Sequence, residues 1–269
     1  MGTDRIRGKV VCVTGATGGI GNEIARAFAR EGARLVLSGR NAAALDALAA
    51  ELKSGGAEVL AVASDVTAPA DVERLVAGAT KVMGGIDIVV CNAGVYIRGA
   101  VKDLSLESIR QSMDTNYYGA VHLIRAVLPQ MLERRSGHIV AVSSVDGKKG
   151  LPADAASAAS KHALAGFMDV LRQELYDTGV YASTIFPERV DTPMIGALDL
   201  PLMSRRLPPA TVARAAVKAV RQRRREIILS FAGPKLLIVA STVWPALGDL
   251  LVRIFRLQGV ELDKGTTHG

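Results

Sequence analysis

The sequence predicts an α/β fold in which helices cover both faces of an open parallel sheet. Short apolar runs rich in β-branched residues alternate with stretches of helical periodicity, and glycine-rich or polar turns follow the runs. The chain has 269 residues, of which 49% are hydrophobic, so one large core is possible. Since no linker or repeat interrupts this pattern, we expect a single main domain at 1–230 and an extension at 231–269.

The first unit of the chain predicts a strand, a glycine turn and a helix. An apolar run at 10–13 leads into TGATGGIG at 14–21, and apolar residues at helical spacing follow. Gly15 and Gly19 would let a pyrophosphate approach the backbone, Gly21 would let the helix pack closely on the strand, and the helix N-terminus offers free amides. Glycine turns also occur for structural reasons alone, so the interpretation as a dinucleotide site depends on the rest of the chain.

Four further apolar runs, each followed by a helical stretch, continue the alternation at 34–37, 59–63, 86–90 and 138–142. The sequences SGRN, Ser64-Asp65-Val66, CNAGV and Ser143-Ser144 come directly after them. The carboxyl ends of parallel strands share one edge of the sheet, where ligands bind in a doubly wound fold. The pattern therefore predicts a Rossmann-type doubly wound sheet with its site at that edge.

An alanine-rich segment, PADAASAASKHAL at 152–164, predicts a helix. Ser157 and Lys161 would then lie on one helix face, one turn apart.

With these residues in view, the chain resembles the short-chain dehydrogenase/reductase family over roughly residues 5–230. The resemblance is carried by TGxxxGIG at 14–21, Asp65, NAG at 92–94, Asn116, Ser144, Lys161, and Pro187 with Thr192. It implies one domain that binds NAD(P), transfers hydride to or from a carbonyl or alcohol carbon, and forms a homodimer or homotetramer.

The resemblance also implies roles for individual residues. The family's catalytic Asn, Ser, Tyr and Lys correspond to Asn116, Ser144, Ser157 and Lys161, so serine stands where the family has tyrosine. The expected cofactor contacts are Thr14, Gly15, Thr17, Gly19, Ile20, Gly21, Ser38, Arg40, Asp65, Val66, Asn92, Ala93, Gly94, Lys161, Pro187 and Thr192. The expected substrate-pocket residues are Tyr96, Asp146, Glu188 and Met194.

The end of the second predicted strand favours NADPH over NADH. NAD-specific sites place a carboxylate there for the ribose 2′-hydroxyl, whereas this chain has Ser38 and Arg40. A hydroxyl and a guanidinium can bind a 2′-phosphate. The alternative is that Arg40 only faces solvent at a helix start.

Serine at position 157 changes the expected chemistry. Its hydroxyl is a much weaker acid than a phenol and ends about 4 Å short of where the phenol oxygen would lie. Without a positioned acid, ketone reduction should slow by about 10²- to 10⁴-fold. Tyr96 is the best substitute acid by position, although an aromatic there more often forms a pocket wall. Tyr117, Tyr118 and His162 have the wrong offset, and we interpret His162 as a surface or packing residue.

Two carboxylates, Asp146 and Glu188, stand where the family more often has uncharged residues. They suggest an imine or iminium substrate, which needs no proton donor and would pair with an acid. The alternatives are that Asp146 caps a turn before Gly147 and that Glu188 pairs with Arg189 or a neighbouring helix in solvent.

Two other interpretations of the whole chain stay open beside imine reduction: a disabled or engineered carbonyl reductase, and a cofactor-binding protein without redox activity.

Composition and charge favour a protein of the reducing cytoplasm that binds no nucleic acid. The net charge is +7, with basic residues concentrated in RQRRR at 221–225, which we interpret as a solvated helix end, and scattered elsewhere, and aromatic residues make up only 4%. Cys12 and Cys91 fall within predicted strands and suggest core residues rather than a disulfide or metal site. We expect no metal. The N-terminus shows no signal peptide, and Ile6 breaks the myristoylation pattern.

Two C-terminal segments complete the expectations. The loop at 194–209 is apolar in its first half and predicts a lid over an apolar, medium-sized substrate. Beyond it, one apolar run is too short to span a bilayer. A second run predicts an amphipathic helix whose apolar stripe is Leu247, Leu250, Leu251, Ile254 and Leu257. This helix could contact a membrane surface, close the pocket or cover a neighbouring subunit, and of these we favour packing within a homo-oligomer.

Overall fold

The computed structural model describes residues 5–195, 198–199, 206–230, 232–255, 257 and 260–261. Its strands are β1 Val10–Thr14, β2 Arg34–Gly39, β3 Val59–Ala63, β4 Ile88–Cys91, β5 Gly137–Val142, β6 Val180–Pro187, β7 Leu198–Asp199, β8 Glu226–Leu229 and β9 Val260–Glu261. Seven of them form one parallel sheet in the order β3-β2-β1-β4-β5-β6-β8, and β7 pairs antiparallel with β9. The predicted doubly wound α/β fold is confirmed.

Helices cover both faces of this sheet. They are α1 Gly19–Arg30, α2 Ala42–Ser54, α3 Pro69–Met83, α4 Leu106–Met113, α5 Gly119–Glu133, α6 Ala155–Glu174, α7 Pro209–Gln222, α8 Ala232–Val243 and α9 Pro245–Ile254. A π-helical turn, Asp114–Tyr118, joins α4 to α5. The strand order reverses between β1 and β4, which places a crevice for ligands at their carboxyl ends.

The core consists of two apolar clusters, one on each face of the sheet. Alternate residues of a strand point to opposite faces, so Val11 and Val13 join the cluster under α1, α2 and α7, whereas Val10 and Cys12 join the cluster under α3, α5 and α6. Cys12 and Cys91 are buried and free, which confirms their interpretation as core residues.

The predicted boundaries need three corrections. The strand expected at 86–90 covers Ile88–Cys91. The helix expected from residue 152 begins at Ala155, because Ala153 takes a left-handed conformation with a φ of 68° and ends the preceding turn. The last helix ends at Ile254, so Leu257 follows the helix instead of extending its stripe. Ser157 and Lys161 do lie one turn apart on α6.

The basic run at 221–225 does form a helix end. α7 stops at Gln222, and Arg223 adopts a left-handed conformation. The Arg223 guanidinium lies 3.8 Å from the centre of the Tyr181 ring, and Arg221 forms an ion pair with Glu31. Two arginines of this run thus have interaction partners within the protein itself.

The extension begins with α8 and α9, which form a hairpin that packs closely where the helices cross. A Cβ on Gly248 would lie 2.1 Å from the Ser241 hydroxyl oxygen, so only glycine permits this approach. We call this pair of helices, residues 232–254, the C-terminal hairpin. No helix in the described ranges is long and apolar enough to cross a bilayer. Residues 196–197 and 200–205 of the expected lid at 194–209, and all of Met1 to Asp4, lie outside the described residues.

Candidate active site

A cleft of about 550 Å³ runs along the carboxyl edge of the sheet at the N-terminus of α1. The expected contacts that line it are Gly15, Thr17, Gly19, Ile20, Gly21, Arg40, Asp65, Val66, Asn92, Ala93, Gly94 and Thr192. The N-cap of α1 is Gly18, which provides no side-chain cap, and the first turn contains no acidic residue. The helix amides therefore face an open cleft, which is the environment that a pyrophosphate requires.

Two glycines of the turn are needed for close backbone packing. Gly15 has a φ of +61°, and a Cβ there would lie 2.9 Å from Ala93 Cα. A Cβ on Gly21 would lie 2.1 Å from the Gly15 carbonyl oxygen. Any larger residue would push α1 away from β1 and distort the cleft.

Thr14 does not line the cleft, contrary to expectation. Its side chain is buried, and its hydroxyl accepts hydrogen bonds from the amides of Asn92 (3.0 Å) and Ala93 (3.2 Å). The Asn92 side chain in turn donates to the Thr14 carbonyl oxygen at 3.0 Å. Thr14 therefore fixes the NAG turn against the end of β1 and acts on a ligand only through this turn.

Ser38 is a second correction to the expected cofactor contacts. Its side chain is fully buried, and its hydroxyl lies 2.6 Å from the Ser64 hydroxyl. It therefore does not line the cleft, whereas Gly39, Arg40 and Asn41 do. Gly39 and Asn41 were missed; Asn41 caps α2 by accepting from the Ala44 amide. Arg40 is exposed and forms no ion pair within the described part of the chain.

Asp65 and Val66 line the cleft in the loop that follows β3. The Thr67 amide and hydroxyl both donate to Asp65 Oδ1, at 2.9 and 2.8 Å. The Asp65 amide donates to Asp71 Oδ2 at 2.9 Å, which ties the loop to α3. This loop is held in place before any ligand binds.

A second, smaller pocket of about 190 Å³ adjoins the cleft. It is lined by Ile20, Asn92, Gly94, Val95, Tyr96, Val142, Ser143, Ser144, Val145, Asp146, Lys149, Leu151, Ser157, Lys161, Pro187, Glu188, Arg189, Val190, Thr192, Met194, Ile195, Leu237, Ile238 and Leu257. Six residues line both cavities, so a ligand of one is in reach of the other: Ile20, Asn92, Gly94, Val95, Thr192 and Met194. All four expected substrate-pocket residues are present.

Ser157 lies in the wall of this pocket with its hydroxyl already engaged. Its Oγ accepts from the Ile97 amide at 3.1 Å and donates to the Ile97 carbonyl oxygen at 3.3 Å. The side chain is buried. The hydroxyl therefore closes a small ring with the loop after β4 and has its proton directed at the backbone.

Lys161 lies beside Ser157 on α6 and reaches the end of β5. Its ammonium donates to the Val142 carbonyl oxygen at 3.0 Å. Burial lowers the pKa of Lys161 to about 8, and the negative charge of Asp146 opposes this shift. A Cβ on Gly94 would lie 3.7 Å from the ammonium, so Lys161 borders the NAG turn of the cleft.

Asn116 lies behind the pocket and does not line it. Its side chain is buried in the π-helical turn, with Oδ1 accepting from the Val95 amide at 2.8 Å. Its Nδ2 donates to the Val95 carbonyl oxygen at 3.0 Å and to Ser160 Oγ at 2.9 Å. Asn116 thus holds the loop after β4, and the sequence alone had no signal for the buried partners Ser112 and Ser160.

Asp146 projects into the pocket from the 3₁₀ turn Val145–Gly147. The cap of that turn is Ser144, whose Oγ accepts from the Asp146 amide at 3.1 Å, so the alternative role of Asp146 as a cap is wrong. Burial, followed by the negative charge of Asp154, raises the pKa of Asp146 to about 6. Arg189, the Ser144 hydroxyl and Lys161 oppose that rise.

Glu188 is also a pocket residue. Only 9% of its surface is exposed, and Ser230 donates to its Oε2 at 3.1 Å. This burial contradicts the alternative that Glu188 lies in solvent. Arg189 was missed as a pocket residue; it donates to the Leu257 carbonyl oxygen at 3.2 Å and so connects the pocket to the segment after α9.

Tyr96 contributes a pocket wall whose hydroxyl is held by a buried carboxylate. The Tyr96 hydroxyl donates to Asp154 Oδ1 at 2.8 Å, and Arg98 Nε lies 2.8 Å from the same oxygen. The Arg98 and Asp154 side chains are 6% and 1% exposed. Burial and the Asp154 charge raise the pKa of Tyr96, which makes it a poorer acid than free tyrosine. Tyr96 is therefore disfavoured as a substitute proton donor.

Tyr117, Tyr118 and His162 lie away from the pocket. Tyr117 packs edge-on against Phe167, Tyr118 is exposed, and the exposed His162 has Nδ1 2.9 Å from the Ala158 carbonyl oxygen. The interpretation of His162 as a surface residue is confirmed.

Comparison with known proteins identifies the family. The model of the short chain dehydrogenase family matches residues 9–201. The chain belongs to this family. It is 36% identical to dehydrogenase/reductase SDR family member 7B of Bos taurus over 259 residues, which cover 90% of this chain and 79% of the relative. It is also 34% identical to the ketoacyl reductase HetN of a Nostoc species, with 95% of this chain and 91% of the relative covered.

Two solved structures of dehydrogenases share the fold. A Burkholderia phymatum short chain dehydrogenase/reductase in complex with NAD superimposes with a TM-score of 0.81 and 27% identity, over 92% of this chain and 96% of that one. An alcohol dehydrogenase of Thermococcus sibiricus complexed with 5-hydroxy-NADP gives a TM-score of 0.75 and 28% identity, over 82% and 95% of the two chains. Family and fold together support an NAD(P)-dependent oxidoreductase.

Proposed function

We propose that this short-chain dehydrogenase is an NADPH-dependent reductase of C=N bonds in apolar, medium-sized substrates. The observation that carries the proposal is the engagement of Ser157 with both backbone groups of Ile97, while the Asp146 carboxyl lines the same pocket near Lys161. At the position where the family resemblance implies a tyrosine acid, there is no free proton donor, but a charged group suited to a cationic substrate lies in the pocket.

The cleft has the features that a nicotinamide dinucleotide needs. The uncapped start of α1 would hold the pyrophosphate, Asp65 and Val66 would border the adenine, and Lys161 would contact the nicotinamide ribose. Arg40, at the end of β2, would bind a ribose 2′-phosphate. When bound, such a cofactor supplies a hydride to an electrophilic carbon.

A C=N bond is the substrate that suits the remaining side chains. An iminium carbon is already activated and carries its own proton, so hydride addition yields a neutral amine without a protein acid. Above a pH of about 6 the Asp146 carboxyl is ionised, and it can then pair with a cationic substrate in the pocket that it lines. Glu188 supplies a second carboxylate whose position Ser230 fixes.

Reduction of a C=O bond is the second candidate, because the HetN relative bears the name ketoacyl reductase. A ketone needs a proton for the developing alkoxide. In this chain protonated Asp146 is a titratable donor that lines the pocket, and it is available only below a pH of about 6. Near neutral pH the two candidates therefore predict opposite pH dependences of activity: C=N reduction needs ionised Asp146 and is favoured by higher pH, whereas C=O reduction needs protonated Asp146 and is favoured by lower pH.

The proposed function is tested by NADPH consumption with a cyclic imine and a ketone of the same ring size and apolar substituents. At pH 7 to 8 we expect kcat/KM for the imine to exceed that for the ketone by about 10²-fold or more, since only the ketone lacks its proton donor. Enzyme without substrate and substrate without enzyme serve as blanks. Equal or better turnover of the ketone would reject C=N reduction.

The cofactor preference is tested separately with Arg40→Leu. Removing a guanidinium that binds a phosphate should raise the KM for NADPH by about 10- to 100-fold and leave the KM for NADH within about threefold. Arg30→Leu is the matched control, because Arg30 ends α1, is exposed and does not line the cleft. If Arg40→Leu changed the KM for NADPH and the KM for NADH by the same factor, Arg40 would not bind the 2′-phosphate.

A further inference from the structure

The C-terminal hairpin exposes a concentration of apolar side chains on its outer surface. Its exposed large hydrophobic residues are Leu236, Val239, Val243, Trp244, Leu250 and Ile254. The tip is the most open part, with Val243 and Trp244 exposed by 81% and 63%. The inner side is packed, since Leu237 and Val252 are buried. An apolar face of this extent on a short hairpin indicates a surface that meets another apolar phase.

The same hairpin closes one side of the substrate pocket. Leu237 and Ile238 of α8 line the pocket, and Leu257 lines it just after α9. One contact fastens the hairpin itself to the pocket rim, since Lys149 pairs with Asp249 at 2.8 Å, and a second holds the segment just after it, where Arg189 donates to the Leu257 carbonyl oxygen. A molecule that leaves an apolar phase at the outer face therefore meets the pocket on the inner face of the same helices.

The charges of the hairpin decide what lies against it. Lys235 and Arg253 are exposed, and the one acidic residue of α8 and α9, Asp249, is already paired with Lys149. The chain as a whole carries a formal charge of +7. A twofold contact between two copies would bring like charges together, because each face contributes the same cations. An anionic bilayer surface complements both the cations and the apolar residues.

Trp244 supports the same assignment by its position. It lies between α8 and α9 at the tip, next to Val243, and its amide caps α8 by donating to the Ala240 carbonyl oxygen at 2.8 Å. An indole is partly apolar and partly polar, and it favours the boundary between lipid headgroups and acyl chains.

We propose that the C-terminal hairpin docks this enzyme on an anionic lipid surface and admits a lipid-dissolved substrate to the pocket. Docking itself is independent of the reaction, whereas the delivery of substrate rests on the proposed function. The hairpin lies on the surface and does not cross it. Residues of the outer face enter the headgroup boundary, and Leu237, Ile238 and Leu257 form the apolar path inward.

The test uses Trp244, which is the single tryptophan of the chain. Full-length protein is mixed with vesicles of equal parts phosphatidylcholine and phosphatidylglycerol, and with vesicles of phosphatidylcholine alone. We expect the protein to sediment with the anionic vesicles, its tryptophan emission to move to shorter wavelength, and binding to weaken at high salt.

Val239→Glu/Val243→Glu keeps the tryptophan and should lower the partition coefficient at least about tenfold. Val82→Glu/Tyr176→Glu is the matched control, because these residues are similarly exposed, at 58% and 78%, on other parts of the surface. It should bind like the wild type. Turnover of a small water-soluble imine should be equal in all three proteins, so a failure of the proposed function is distinguishable from a failure of docking.

Two results would overturn the proposal. One is protein that stays in the supernatant with unchanged emission. The other is self-association without vesicles. In that case the tryptophan emission would move to shorter wavelength as protein concentration rises, and sedimentation velocity would show a dimer that is lost in Val239→Glu/Val243→Glu. This second result would make another copy of the chain the occupant of the hairpin.

Discussion

Replacing Ser157 with tyrosine is expected to raise kcat/KM for ketones by about 10²- to 10⁴-fold, the contribution of a positioned general acid. Ser157 lines the pocket one turn from Lys161, so a phenol at this position would lie near the ammonium that lowers its pKa. The wild-type hydroxyl cannot serve, because it donates to the Ile97 carbonyl oxygen. Steady-state NADPH consumption with the matched imine and ketone measures the change.

Ser157→Phe is the control for this prediction. It adds the same ring and removes the same bonds to Ile97, but it has no hydroxyl. Ketone activity should appear in the tyrosine variant alone. If both variants gained it equally, the shape of the pocket and not the missing acid would limit ketone reduction, and if neither gained it while NADPH still bound, a non-redox role would become the better account.

Replacing Asp146 with asparagine is expected to lower kcat/KM for the imine by about 10²-fold at pH 7 to 8, because a buried charge-assisted contact with the iminium is lost. Asparagine keeps the size of the side chain and the turn, whose cap is the Ser144 hydroxyl. Asp103→Asn is the control, since Asp103 is an exposed loop residue that pairs only loosely with Lys102, at 3.9 Å.

The stability of this variant can be predicted from the direction of the pKa shift. The pKa of Asp146 is raised in the folded protein, so the protonated form is favoured, and the stabilisation that it gives below its ordinary value of 3.8 is lost as pH rises through about 6. Asparagine carries no such cost at pH 8. The thermal midpoint of Asp146→Asn at pH 8 should therefore be no lower than that of the wild type, which separates lost activity from lost folding.

Most of the fold could be predicted from the sequence because its signals are local. The apolar runs, the helical periodicity and the glycine turn each lie within a few residues of one another, and they produced the parallel sheet and the cleft at its carboxyl edge. The errors occurred at element boundaries. Ala153, for example, adopts a left-handed conformation and ends the turn before α6, but an alanine gives no signal of this conformation in the sequence.

The site was harder to predict because its details depend on distant partners. Ser38 follows the apolar run at 34–37 and was therefore predicted to bind the cofactor. Its hydroxyl is instead hydrogen-bonded to that of Ser64, which lies in a different loop. Glu188 was expected in the pocket and does line it, but its hydrogen-bond partner Ser230 is 42 residues away in the sequence and could not be predicted. Asp154 binds the Tyr96 hydroxyl. In the sequence it is only an aspartate that precedes a helix, and that pattern normally indicates an N-cap.

The proposed C=N reduction depends most on Asp146 acting as a carboxylate toward a cationic substrate. The direct measurement is the ratio of imine kcat/KM for the wild type to that for Asp146→Asn across the acidic range, since protonation of the imine itself affects both proteins equally. With a pKa of about 6 for Asp146, the ratio should fall about tenfold from pH 7 to pH 5. A ratio that stays near one at every pH would contradict the proposed role of Asp146.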